Sequence, residues 1–501
     1  MLATIPSATL LGVDGRPVAV EVHVTGGLPA FTIVGLPDTA CRESRDRVRA
    51  AITSAGLTWP QKKVTVNLAP SGVRKGGAGL DLAIAVGLLV ASEQLAPELV
   101  EGIACLGELG LDGSVRRVPG LVPLVDAVTA PTVVVARVAV PEAALVGRHQ
   151  VRGVDSLPQL LEAVRDVAPW PDPPVPPVRA RSIAQPDLAD VRGQAVGRWA
   201  IEVAAAGGHH LLMTGPPGSG KTMLAMRVAG LLPALSRDEA LETTRVHSAA
   251  GVVTTGLVDR PPLRAPHHGA SSVSLIGGGA GWMRPGEISL AHNGVLFLDE
   301  MGEFATDVLD ALRQPLEECV VRVARAKASV TFPARFLLIG AMNPCPCGDG
   351  GAPGGCRCSD ASRLRYARRL SGPLLDRFDL RVAISRPDVG HLLAGAPGEC
   401  TAAVADRVAA AREVARARGV RTNAQLAGAA LEAATALSPA ATRLLEHKLR
   451  TGALSARGLD RVRRVARTLA DLDGAPTLLG DEHVCAAVEL RAAPPSVAGA
   501  A

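Results

Sequence analysis

The segment Gly215-Pro216-Pro217-Gly218-Ser219-Gly220-Lys221-Thr222 constrains this chain more than any other. It meets the pattern G-x-x-x-x-G-K-[ST] at every fixed position. The apolar run Leu211-Leu212-Met213 precedes it, and a helical pattern from Met223 to Leu232 follows. This strand–loop–helix setting predicts an α/β unit built on a parallel sheet. The glycines let successive backbone N–H groups turn inward around phosphate oxygens. The helix N-terminus adds its partial positive charge. In such a loop Lys221 reaches the β- and γ-phosphates of ATP, and the Thr222 hydroxyl ligates Mg²⁺. Of 53 basic residues only six are lysines: Lys62, Lys63, Lys75, Lys221, Lys327 and Lys448. A compact ammonium suits a phosphate cradle where a planar guanidinium fits poorly. A lysine at 221 in an arginine-rich chain is what a working loop requires.

At 501 residues the chain should hold about three domains. With 48% hydrophobic and 20% charged residues it has ample core-forming material. No apolar run reaches the length of a membrane span. The start, Met1-Leu-Ala-Thr-Ile-Pro, lacks the basic region of a secretory signal. Nine cysteines, odd in number and unevenly placed, argue against a disulfide framework. A cytoplasmic setting is expected. The net charge of +5 permits a nucleic-acid partner without demanding one. Aromatics are only 2%, so a DNA contact would be cationic and directed at phosphates, not built on base stacking.

Residues 1–165 read as one α/β domain. Val18–Val24, Phe31–Val34 and Lys63–Leu68 are strand-like; Thr39–Ala55 and Leu80–Ser92 are helical. Six prolines between Pro169 and Pro177 exclude helix and central strand. A semi-rigid linker is predicted over 166–186. Residues 187–390 alternate strands and helices, with strands expected at His210–Thr214, Val295–Asp299 and Phe336–Met342. Residues 391–495 are rich in Ala, Leu and Arg and predict a helical bundle with a turn near Gly474. A frayed tail, 496–501, closes the chain.

Val295-Leu-Phe-Leu-Asp299-Glu300 is an apolar strand ending in two carboxylates. It is expected beside the phosphate-loop strand. There Asp299 would hold Mg²⁺ and Glu300 would polarise the attacking water. Phe336 to Met342 is a second buried strand, ending at Asn343. Asn343 either orients the water and γ-phosphate or caps a turn before Pro344. Arg377, in Ser371-Gly-Pro-Leu-Leu-Asp-Arg-Phe-Asp379, is either a residue that stabilises transferring phosphate or part of a surface ion-pair run.

Together these segments resemble an AAA+ ATPase, and within it the magnesium-chelatase-like YifB/ComM family. The distinctive matches are Asp187-Leu-Ala-Asp-Val-Arg-Gly-Gln194, Arg264-Ala-Pro-His-His268, Pro285-Gly-Glu-Ile-Ser-Leu-Ala-His-Asn-Gly294, Asn343-Pro-Cys-Pro-Cys-Gly348 and Ser371–Asp379. The resemblance implies a homo-oligomeric ring, usually a hexamer, with ATP between subunits. It implies sensor 1 at Asn343 and an arginine finger at Arg377 acting on a neighbour, with Arg369 a second candidate. Ser455 to Arg467 resembles the sensor 2 helix, aligned on Arg464 with Arg457 as the alternative. Asp187–Gln194 would lie beside the adenine. The implied fold is an AAA+ core of parallel sheet and helices with a helical C-terminal lid. An α/β N-terminal domain of the Lon-protease-like S5 fold precedes it, carried mainly by Gly107 to Val115. The Ser–Lys dyad of Lon-type proteolysis has no counterpart: Lys75-Gly-Gly-Ala78-Gly79 and Gly120-Leu-Val-Pro123 stand at those positions.

Val320 to Phe332 alternates around a basic centre and resembles the family's channel hairpin. Arg325 and Lys327 near its tip would follow a nucleic-acid backbone; the alternative is a solvated hairpin. Leu263–Gly281 reads as a flexible insert. Its His267 and His268 suit packing or loop hydrogen bonds better than a metal. Cys345-x-Cys347-x₈-Cys356-x-Cys358 gathers four thiols that can make a tetrahedral Zn²⁺ site, although C-x-C is tighter than the usual knuckle. The leading expectation is a Mg²⁺-dependent ring ATPase that remodels DNA, in a ComM-like helicase or branch-migration role. A porphyrin magnesium-chelatase motor and a protein-remodelling ATPase are the alternatives.

Overall fold

The computed structural model describes residues 1–174, 186–252, 256–279, 283–325, 328–349, 356–388, 390, 398–474 and 477–491. The fold is mixed α/β. The strand runs of the N-terminal third appear as Asp14–Thr25, Ala30–Val34 and Lys63–Ala69, joined by Leu2–Leu11. Leu2–Leu11 pairs antiparallel with Asp14–Thr25 from Leu2–His23 to Leu11–Asp14. Alternation buries Val18, Val20, Val22 and Val24 on one face. The helix Asp81–Ala91 covers that face and is buried along its whole length. Thr39–Ser54 packs beside it, its N-terminus capped by the Asp38 carboxylate. A second, three-stranded parallel sheet holds Ile103–Cys105, Thr132–Ala136 and Gln150–Val154.

The phosphate-loop strand, Leu211–Thr214, belongs to a five-stranded parallel sheet. The spatial order is Leu263–Arg264, Val295–Leu298, Leu337–Met342, Leu211–Thr214, Leu380–Ala383. The Asp299 strand is therefore not beside the phosphate-loop strand, as the sequence reading expected. Leu337–Met342, buried at all six positions, lies between them. An all-apolar strand gains most in the central slot, where helices cover both faces.

Alternate residues of this sheet feed two cores. Leu212, Leu296, Leu298 and Leu338 join the apolar cluster that runs on into the N-terminal third. Leu211, Met213, Val295, Phe297, Leu337 and Ile339 join a second cluster with Val404, Val408, Val462 and Val465 of the C-terminal helices. Those helices are Thr401–Ala417, Gly428–Ala434, Pro439–Arg450, Ala456–Leu472 and Asp481–Glu489, as the composition predicted. The N-terminal third docks through Gly120, whose N–H donates to the Ser248 carbonyl at 3.0 Å. The Ser248 hydroxyl in turn donates to buried Glu142 at 2.7 Å.

Two further expectations need adjustment. The single helix expected over Met223–Leu232 is two, Lys221–Ala225 and Val228–Leu231. The joint closes with tighter bonds, Arg227 N–H to Leu224 O and Gly230 N–H to Arg227 O. It lets buried Arg227 donate to the Asp187 carbonyl and pair with Asp190. The insert from Leu263 is ordered in part. It holds the helix Ser272–Ile276 and a ladder of Gly277–Gly278 with Arg284–Pro285; residues 280–282 lie outside the described residues. The proline segment begins on the N-terminal third, with Arg152 over the Trp170 ring at 5.6 Å. Residues 175–185 lie outside the described residues, as do 391–397 and the tail from 492. No helix among the described residues is long and apolar enough to cross a membrane.

Candidate nucleotide site

Parallel strands bring their C-terminal ends together, and the polar residues that follow three of them converge. Gly215 follows its strand so closely past Leu380–Ala383 that a Cβ would sit 2.0 Å from the Ile384 carbonyl oxygen. Gly220 enters the helix at φ +87°, where a glycine is favoured. Lys221 is 7% exposed. Its ammonium donates to the carbonyls of Gly215 at 2.7 Å and Pro216 at 2.9 Å, and lies 3.3 Å from Asn343 Oδ1. Burial pulls its pKa down; Asp299 and Glu300 oppose the shift.

The Thr222 hydroxyl donates to Asp299 Oδ2 at 2.6 Å. This pair offers hard oxygen ligands of the kind Mg²⁺ takes. Glu300 stands at φ +48°, in the left-handed region that costs a non-glycine residue free energy. Its N–H donates to Asp299 Oδ1 at 2.8 Å, so the turn presents both carboxylates at one strand end. His268 Nδ1 lies 3.1 Å from Glu300 Oε2, with the His267 ring packed on it at 4.0 Å. Gln194, also at positive φ, donates 2.7 Å bonds from its amide to the carbonyls of Ser219 and Ser385. The Asp187–Gln194 stretch thus props the phosphate loop. Both segments stand out in the sequence, but nothing in it connects His268 to Glu300 or Gln194 to the loop. Those contacts join residues 32 and 25 positions apart, as the numbering of each pair shows.

Other candidates stand elsewhere. Arg377 pairs with Glu317, and Arg464 donates to the Leu426 carbonyl at 2.6 Å. Both lie toward the opposite end of the sheet: Arg461 bonds both the Arg377 carbonyl and Asp379, which precedes its strand, and the Asp379 charge acts on Arg464. Within one chain they do not meet the phosphate loop. Arg369 donates to Gly302 O at 2.6 Å and pairs with Glu303, just beyond Glu300. Arg457 is exposed. The hairpin expected around Val320–Phe332 is present as Val320–Arg325 and Ala328–Pro333. Lys327 and the side chain of Arg325 lie outside the described residues.

The sulfurs of Cys345, Cys347, Cys356 and Cys358 all lie within 4.8 Å of one another. The Asp349 N–H, then the Cys345 thiol, hold Cys347 down at about 6. No other grouping of three or more such ligands occurs among the described residues.

Three family models cover most of the chain. "Magnesium chelatase, subunit ChlI" matches residues 187–409, "Subunit ChlI of Mg-chelatase" 20–143, and "Magnesium chelatase, subunit ChlI C-terminal" 398–491. Uncharacterized protein YifB of Escherichia coli is 43% identical over 495 residues, 98% of this chain and 97% of its own. Competence protein ComM of Haemophilus influenzae is 40% identical over 508 residues, again 98% and 97%. The chain belongs to the magnesium-chelatase-like YifB/ComM family. An uncharacterized protein of Mycobacterium tuberculosis is 47% identical over 494 residues, 97% of each chain. Family membership accords with the parallel sheet, the phosphate loop and the helical C-terminal region.

Proposed function

We propose that this chain is a Mg²⁺-dependent ATPase working as a ring, most often a hexamer in this class, that remodels DNA. The supporting observation is the convergence of Lys221, Thr222, Asp299, Glu300 and Asn343 at adjacent strand ends. Lys221 exchanges its loop carbonyls for β/γ-phosphate oxygens. Thr222 and Asp299 would hold Mg²⁺, which would neutralise phosphate charge. Glu300 polarises the attacking water, and Asn343 orients it. Arg377 serves a neighbouring subunit once released from Glu317; Arg464 acts across the same interface. The chain divides into 1–165, a Lon-like N-terminal domain; 166–186, a linker; 187–390, the ATPase core; 391–495, the lid; and a 496–501 tail. The four cysteines suit one structural Zn²⁺. The setting is cytoplasmic.

DNA is favoured because a relative similar along nearly its whole length is named a competence protein, and competence is the uptake of DNA. Arg325 and Lys327 at the hairpin tip would follow its phosphates. The test is ATP hydrolysis with and without branched DNA. We expect stimulation, with binding that weakens as salt rises; no binding at low salt and no stimulation would sink the DNA reading. The family name favours a second reading, a motor for Mg²⁺ insertion into a porphyrin. Stimulation only by a porphyrin-loaded partner would establish that one.

A further inference from the structure

We infer that the four-cysteine cluster is a Zn²⁺ clamp that holds the outer wall of the phosphate loop, so that its metal sets nucleotide affinity. The inference rests on the nucleotide-site reading above.

The cluster has the right size. Zn–S bonds of about 2.3 Å in a tetrahedron place the sulfurs about 3.8 Å apart. Cys345 Sγ lies 3.2 Å from Cys347 and 3.7 Å from Cys356, and Cys347 lies 3.8 Å from Cys356. None of the four is in a disulfide. Two ligands come from the turn after Asn343. Two come from the residues just before the helix Asp360–Ala367, whose N-terminus Ser359 caps. The ligand set therefore cross-links two separate segments, as structural zinc sites do. Four soft thiolates exclude Mg²⁺ and favour Zn²⁺.

The clamped turn and the strand end it follows touch the phosphate loop three times. The Gly215 N–H donates to the Met342 carbonyl at 3.2 Å. Lys221 meets Asn343 at 3.3 Å. Gly348, whose N–H donates to Cys345 O at 3.0 Å, lies against the ring of Pro217. A Cβ there would stand 2.6 Å from Pro217 Cγ, and φ is +85°. Arg386 closes the contact from outside: Nε is 3.4 Å from the Pro217 carbonyl, and Nη2 is 3.5 Å from Asp349. Pro216 and Pro217 stiffen the loop, but its outer wall leans on a turn that has no strand or helix of its own. The metal supplies the missing rigidity. Releasing it lets Gly348 and Asn343 drift, and the loop then loses the preorganisation that sets its affinity.

The test uses the full chain and two readouts, zinc per chain and the Kd of a fluorescent ATP analogue. We expect about one zinc per chain, bound through these thiols. Cys356→Ser/Cys358→Ser should lose the zinc and weaken nucleotide binding about tenfold. Pro217→Ala, which removes the ring that Gly348 leans on and leaves every thiol and the ligand turn untouched, should keep the zinc and weaken binding likewise. A zinc-selective chelator, followed by zinc re-addition, should lower and then restore affinity, which separates the clamp from a folding defect in the cysteine variant. Purified protein that carries no zinc and takes none up, or carries iron instead, overturns the metal. Zinc loss with unchanged Kd overturns the clamp and leaves the ATPase reading standing. A wild-type chain that holds zinc but binds no nucleotide overturns the ATPase reading and the clamp that rests on it.

Discussion

The two ends of the five-stranded sheet both carry charge, and they treat it in opposite ways. At the phosphate-loop end, Asp299 and Glu300 sit on a strained turn, and Glu300 is about half exposed with His268 beside it. At the other end Asp379 is 4% exposed and fully engaged. It accepts from the His210 N–H at 3.2 Å and from Arg461, and His209 stands 3.7 Å away. Burial alone would raise its pKa; His209 and Arg461 outweigh burial and hold it well below the usual carboxylate range. A closed network of this kind binds the strand foot to the C-terminal helices. The open end keeps acceptors available to a ligand. The comparison teaches that the same parallel sheet closes buried charge into structure at one end and leaves half-exposed charge at the other, where the proposed chemistry would use it.

Changes at the open end should alter rate and spare stability. Glu300→Gln should lower kcat about 10²–10⁴-fold while nucleotide still binds, as seen in single-turnover hydrolysis. Normal turnover removes Glu300 from the chemistry. At the closed end the signs reverse. Asp379→Ala leaves the Arg461 guanidinium without its carboxylate and should cost about 3–5 kcal/mol in urea unfolding. An unchanged midpoint would mean the network is ornamental.

Acid should find the closed end as well. The Leu338 N–H donates to His210 Nδ1 at 3.0 Å, which needs that nitrogen unprotonated. Burial pushes His210 down to about 4, against the pull of Asp379 and with help from Arg461 and His209. The unfolded chain takes up the proton near 6.5, so stability is full above that pH and is lost as pH falls through about 4. The loss approaches about 3 kcal/mol. Its measure is the pH dependence of unfolding in His210→Asn, whose amide oxygen keeps the Leu338 bond. A variant as acid-sensitive as wild type refutes the assignment. The smallest effect is expected at Arg363, whose pair with Asp360 is 49% and 88% exposed. Arg363→Ala should leave Tm unchanged within error, because exposed pairs contribute little.

Much of the candidate site was legible because its residues sit at strand ends, and strand ends announce themselves. Leu211–Met213, Val295–Leu298 and Leu337–Met342 are apolar runs stopped by Gly215, Asp299 and Asn343. What stayed hidden lies in contacts across the chain. His268 beside Glu300, Gln194 under Ser219 and Gly348 against Pro217 have no period or spacing that marks them. The strand order was hidden for the same reason: a parallel sheet pairs strands through crossovers of any length, so order along the chain does not set order in space.

The amino-acid sequence by itself determined the phosphate loop, the carboxylate pair, the four-thiol spacing and the alternation of strands and helices, because each depends on residues close in the chain. Tertiary structure alone decided that Asn343, not Asp299, follows the strand next to the loop. It also placed Arg377 and Arg464 at the far end of the sheet and laid the cysteine turn along Pro217. Those outcomes depend on which faces bury one another, and that is settled between segments tens to more than a hundred residues apart, not within any one of them.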